Sequence, residues 1–294
     1  MAATSVLNLP VSKKKFATDL YGELNKDDVF SGAAALSFYL TLALFPGLIF
    51  LLTLLPYLPI ENLDRAIMDF IRQAMPGEAA SLVADVVQSL VSDKKGGLLS
   101  LSLFGTLWAA TSGFSAVITQ LNVTYDVTES RSYLKAKATA FLMMLAFAAV
   151  MVIAFALIVL GGVLQDYLES VLGLGPVLLT AFVVFRWVIL FFMIIAVFAL
   201  IYYLGPDVEQ DFRFITPGSL FAAVTFALAS LGFNWYVSNF GNYNSTYGSI
   251  GGVIILMLWL YVAGIVLLVG AETNALIEHH HPQGKDKGER VPEH

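Results

Sequence analysis

The sequence predicts an all-α polytopic membrane protein of six transmembrane helices, with both termini inside the cell and an amphipathic helical pair outside, between the first two spans. Three observations predict it. The first is composition. Hydrophobic residues make up 58% and charged residues 13%, roughly half the charged share of an ordinary soluble domain, and mean hydropathy is +0.77. The second is a series of apolar runs, each long enough to cross a hydrocarbon core of about 30 Å at about 1.5 Å per residue. The third is an uneven distribution of Lys and Arg among the segments between those runs.

The same composition excludes several classes. A net charge of −6 with no basic face gives nucleic acid nothing to bind. The absence of cysteine removes disulfides and thiolate metal sites, without fixing the compartment. After Lys13-Lys14-Lys15 the chain stays polar, so no signal-peptide core precedes the first span, which is expected to direct insertion itself.

Residues 1–30 form a polar inner segment, and the spacing of Phe16, Leu20 and Leu24 predicts a short interfacial helix there. The first span covers residues 32–55, with a kink expected at Pro46, where neighbouring helices can satisfy the freed carbonyl. Residues 61–97 carry apolar positions at three- and four-residue spacing, broken at Pro76-Gly77, which predicts two outer amphipathic helices. The second span, 98–123, is rich in Gly, Ala, Ser and Thr, residues that let helix backbones approach closely. It is expected to be central. The third, 138–164, is almost uniformly apolar, and the fourth, 177–204, is interrupted by Arg186. The fifth and sixth, 214–239 and 249–277, make a hairpin whose polar outer tip carries Asn242, Tyr243, Asn244 and Tyr247. Residues 278–294 are polar and read as a disordered tail. With the N-terminus inside, the inner segments hold Lys13, Lys14, Lys15, Lys26, Arg131, Lys135, Lys137, Arg213, Lys285, Lys287 and Arg290. The outer ones hold only Arg65, Arg72, Lys94 and Lys95. That asymmetry places both termini in the cytosol.

Few residues carry chemistry. Arg186 falls near mid-bilayer, where an arginine costs at least about 2.5–3.5 kcal/mol and must face the bundle interior. Two readings stand for it: an anion or substrate contact in a cavity, or a lock that bonds carbonyls or hydroxyls of the second helix. Asn234 either lines that cavity or bonds across two helices. The Gly248, Gly251 and Gly252 cluster serves close packing or an unwound, ligand-binding backbone. On the inner side, Asn122, Asp126, Glu129, Arg131, Arg213, Glu272 and Asn274 form an expected polar cluster. Within it Glu272 either pairs with Arg131 or Arg213 or binds a coupling ion. The His279-His280-His281 triplet is a weak metal signal, and no metal or other cofactor is expected. The sequence has no phosphate-binding loop, no H-E-x-x-H and no G-x-S-x-G. Its histidines all lie at the C-terminus, so an enzyme is not expected.

The chain resembles the YihY/BrkB family of bacterial inner-membrane proteins, once labelled ribonuclease BN. The matching pieces are Leu36-Ser-Phe-Tyr39 with Phe45-Pro46; Leu121-Asn122 followed by Tyr125, Glu129 and Arg131; Tyr203 with Pro206; and Pro217-Gly218. Further along they are Tyr236, Tyr243, Tyr247-Gly248-Ser249, Trp259-Leu-Tyr261 and Gly270-Ala-Glu272 with Asn274. They run in order from about residue 30 to residue 277. The resemblance implies a six-helix inner-membrane protein treated as a transporter or permease, and it supplies no substrate. The nuclease label agrees poorly with the missing histidines. The resulting expectation is a transporter or exporter of a small or amphipathic solute, anionic or lipid-like, moving through a polar cavity. The competing expectation is a non-transporting scaffold for envelope assembly that docks partners through its outer helices. Small-residue faces on the second span and on the hairpin leave room for a homo-oligomer.

Overall fold

The computed structural model describes residues 12–54, 96–171, 173, 175–240, 250–280 and 287–290. Residues 61–95 of the expected outer amphipathic pair, the hairpin tip (Asn242, Tyr243, Asn244, Tyr247) and Gly248 lie outside the described residues. Among the described residues every regular element is a helix.

Helix α1 (Lys13–Lys26) starts at Ser12, whose hydroxyl accepts the backbone N–H of Lys15 at 3.3 Å, and it buries no residue. That is the behaviour of a helix lying on a surface. It ends at Asp27, and Asp28 turns the chain with φ +46°, a left-handed conformation that Asp tolerates better than most residues. Helix α2 (Val29–Leu54) follows at once, and its backbone stays helical through Pro46. Helix α3 covers Gly96–Thr124, α4 Tyr133–Ser170, α5 Pro176–Leu204, α6 Pro217–Phe240 and α7 Ile250–His279. Gly251 and Gly252 are buried inside α7, where the backbone is helical. Helices α4 to α7 are each long and apolar enough to cross a membrane, and the described apolar stretch of α2, Val29–Leu44, is shorter.

Sequence neighbours pack on one another from α2 through α7, and α7 closes back onto α2, so the six apolar helices form a ring in chain order. Helix α3 also reaches across to α7, which agrees with the central place expected from its small residues.

The packed core lies at one end of the ring, the end where α1 sits. Val29, Ala33 and Leu36 of α2 meet Val117 and Leu121 of α3, Ala140 and Met143 of α4, Ile195, Phe198 and Tyr202 of α5, Ala222 of α6, and Leu268 and Ala271 of α7. Glycines set the distances there. A Cβ at Gly218 would overlap the Gly270 carbonyl and the Asn274 side chain, and one at Gly264 would press on the Ala33 backbone. Away from that end, Phe104, Trp108, Val152, Leu160, Phe185, Trp187, Leu228 and Leu231 are exposed. In water this surface would be expensive; in lipid it costs nothing, because hydrocarbon tails are as apolar as leucine.

Candidate functional site

The α1 end gathers nearly every charged side chain that the ring holds against its core, and it does so in separate groups. The first surrounds Arg131, in the turn between α3 and α4. Its Nε donates to Glu129 Oε1 at 2.7 Å and its Nη2 to Glu129 Oε2 at 2.8 Å, a fork on a carboxylate. Nη2 also donates to the carbonyl of Gly205 at 2.9 Å, and Nη1 to that of Leu204 at 3.4 Å, so the guanidinium closes the C-terminus of α5. Helix C-termini leave carbonyls without partners, and a cation there is favourable. Asn122 ties the group together: its amide donates to Glu129 at 3.1 Å and its carbonyl accepts from the Asp207 N–H at 2.8 Å. Asp207 in turn accepts from the N–H and hydroxyl of Ser130. Hydrogen bonds from Arg131 hold the Glu129 carboxyl below its ordinary range. Burial works against ionisation of Asp207, but the bonds from Ser130 and the charges of Arg131 and Arg290 outweigh it and lower its pKa.

The second group is a cap on α6. Thr216 precedes Pro217 and exchanges bonds with Ser219: the Ser219 N–H donates to Thr216 Oγ1 at 3.0 Å and the Thr216 N–H to Ser219 Oγ at 2.9 Å. Asn274 of α7 completes it, accepting the Gly218 N–H at 2.8 Å and donating to Thr216 Oγ1 at 3.0 Å. The cap therefore satisfies orphan donors of one helix with a side chain of another.

The third group is carboxylic. Asp27, at the α1–α2 turn, and Glu272, on α7, face each other within hydrogen-bonding reach, and the Thr124 hydroxyl also bonds Glu272. Glu272 is 1% exposed and the Asp27 side chain 6%. Asp27 Oδ2 and Glu272 Oε1 find no hydrogen-bond donor among the described residues. Lys26 stands over the rim, 2.5 Å from Asp126 Oδ1, 3.3 Å from Glu23 and 3.7 Å from Asp27. Asp126 reaches it from a left-handed turn, φ +55°. Residues 287–290, within the stretch read as tail, lie against the same end: Lys287 bonds Glu23, and Arg290 bonds the Thr128 carbonyl and pairs with Asp207 at 3.7 Å.

The sequence expectation of one inner polar cluster is thus corrected to several. Glu272 meets neither Arg131 nor Arg213. Arg131 is consumed by Glu129 and the end of α5, while Arg213 is exposed and joins no group among the described residues. Glu272 and Asn274 also turn to opposite sides of α7, as residues two apart on a helix of about 3.6 residues per turn must. Of the remaining candidates, Asn234 is exposed on α6. Arg186 is half-buried, its guanidinium laid on Gly161 of α4, where no Cβ intervenes, and it makes no hydrogen bond or ion pair among the described residues. A shallow crevice between α4 and α5 is lined by Met143, Phe147, Val150, Val197, Ile201 and Leu204 and is apolar. His280 sits between the Leu276 carbonyl and Asp19, and no group of metal ligands occurs among the described residues.

The comparisons with known proteins bear on this arrangement. The family model described as virulence factor BrkB matches residues 20–294. The chain belongs to the BrkB family. A ribonuclease-like protein, YfkH, of Bacillus subtilis is 35% identical over 89% of this chain and 94% of its own length. A UPF0761 membrane protein of Aeromonas salmonicida is 24% identical over 92% of each chain, and one of Haemophilus influenzae is 23% identical over 91% of this chain and 97% of its own. No solved structure matches. Together with the apolar helices, this makes the protein a multi-pass bacterial membrane protein of the BrkB family.

The motifs that carried the resemblance now have physical roles. Asn122, Glu129 and Arg131 close the end of α5; Pro217-Gly218 and Asn274 cap α6; Gly270 leaves room for the Tyr202 hydroxyl, which donates to the Leu267 carbonyl at 2.8 Å. Sequence reasoning missed Asp27, Thr124, Asp207 and Thr216. Asp27 carried one signal, an acid set directly against the start of the first apolar run. The others are ordinary polar residues at helix ends and in a short charged loop, and only their partners make them notable.

Proposed function

We propose that α2 to α7 are six membrane spans with both termini cytosolic, and that this BrkB family protein is an inner-membrane transporter or exporter, not an enzyme. Its solute is small or amphipathic and anionic, lipid-like molecules included. The observation that supports the reading is Arg186. It lies part-way along an apolar span, rests on a glycine of the neighbouring helix and has no counter-charge among the described residues. An arginine at that depth carries a cost that an anionic group passing beside it would offset. The glycine opposite keeps the approach narrow and flat, suited to a planar guanidinium. The α1 end, with its caps and ion pairs, then acts as the rigid base against which the opposite half moves.

The test uses purified protein in vesicles carrying a fluorescently labelled phosphatidylglycerol, with dithionite quenching the outer leaflet. The expected result is faster exchange of the label between leaflets than in protein-free vesicles, and its loss in Arg186→Ala protein that is still inserted and folded. Exchange at the protein-free rate with wild-type protein, or undiminished exchange with Arg186→Ala, would refute the reading.

A further inference from the structure

The carboxyl pair Asp27–Glu272 is unusual for its surroundings. Two carboxylates cannot bond each other, because an ionised carboxyl only accepts; one proton turns one of them into a donor. Each leaves one buried oxygen without a donor among the described residues, and Glu272, which is almost fully enclosed, points at Asp27 with only the Thr124 hydroxyl to help it. Like charges this close cannot both ionise at low cost.

The charged groups nearby do not relieve the pair. From α1, Lys26 stands at the rim, but its shortest bond is to Asp126 at the end of α3, and Glu23 holds it as well. Lys287 is taken by Glu23. Tyr125, buried beside Asp126, offers no cation, and further along α7 the next titratable groups are Glu278 and His279. Four carboxyls therefore share two ammonium groups: Lys287 is committed outside the pair, and Lys26 reaches only Asp27 Oδ1, at 3.7 Å, while its shorter contacts go to Asp126 and Glu23. Burial raises the pKa of Asp27, and the hydrogen bond with Glu272 and the Lys26 charge do not restore it.

We infer that Asp27 and Glu272 form a proton-binding site that holds one shared proton at neutral pH, at the junction of α1, α2, α3 and α7. Loading takes one proton from water onto a carboxylate oxygen and lowers the charge of the pair from two negatives to one. The α1–α2 turn, α3 and α7 meet at this pair, so its protonation is linked to how α1 and α7 sit against α3. The inference does not depend on transport: the site binds its proton whether or not a solute crosses the bundle.

The experiment is infrared spectroscopy of the purified full-length protein in detergent, titrated from acid to alkaline pH in potassium buffer and again in sodium buffer. The expected result is a protonated-carboxyl stretch present at neutral pH that disappears in a one-proton step at alkaline pH, is unchanged by sodium, and is missing from Glu272→Gln. The amide introduced by that substitution can donate to Asp27 without a bound proton. The folded chain holds this proton more tightly than an unfolded one, so wild-type thermal stability falls as pH rises through the same step, and Glu272→Gln flattens that fall. If Glu272→Gln does not fold, the wild-type band and Asp27→Asn decide. A wild-type protein without the band at neutral pH overturns the inference. So does a band that survives both substitutions, or a titration that sodium displaces, which would make the site one for a metal cation.

Discussion

Replacing Arg131 by alanine removes a side chain that ties the α3–α4 turn directly to the last carbonyls of α5. Its side chain is only 10% exposed, and its partners Glu129 and Asp207 are 32% and 15% exposed. The substitution deletes the fork on Glu129 and the two bonds to the Leu204 and Gly205 carbonyls, and removes the positive charge beside Glu129 and Asp207. Removing one partner of a fully buried pair costs about 3–5 kcal/mol. The exposure of Glu129 reduces this, so the expected loss is about 2–3 kcal/mol. The assay is reversible unfolding of the purified protein by a graded denaturing detergent, followed by tryptophan fluorescence. A loss under about 0.5 kcal/mol, the scale of an ordinary surface substitution, would refute the reasoning. Acid supplies an independent check. Glu129 and Asp207 both have pKa values lowered in the folded protein, so their stabilisation is present above the ordinary carboxyl values of 4.5 and 3.8. It is lost as pH falls through the depressed folded ones. Wild-type protein should lose stability over that acid window, and Arg131→Ala should lose much less.

Three further outcomes follow from the same geometry. Asn274→Ala should cost about 1–2 kcal/mol in the same unfolding assay, the scale of a lost N-cap, because the Gly218 N–H and Thr216 hydroxyl lose their partner across the α6–α7 contact; Asn274→Asp should recover part of it. Gly218→Ala and Gly270→Ala should each destabilise by about 1–3 kcal/mol, the cost of overpacking, whereas Gly22→Ala, where a Cβ meets nothing within 4 Å, should be neutral or slightly stabilising. Raised salt should weaken the contact of residues 287–290 with the α1 end, since Lys287 and Arg290 are 47% and 38% exposed; faster protease cleavage near Lys287 at high salt would show it, and an unchanged rate would count against it.

The membrane character and the helices were legible in the sequence because both are local properties. Hydropathy and run length need no knowledge of partners, and the described helices α4 to α7 follow the apolar runs closely. The sequence could also say that Glu272, Arg131 and Asn274 lie at one end of the bundle. It could not say which of them meet. That depends on the rotation of each helix about its axis and on the ring closing with α7 against α2. A turn of about 100° per residue sends Glu272 toward Asp27 and Asn274 toward α6, and tertiary packing alone chose between an arginine and a second carboxylate as the partner of Glu272.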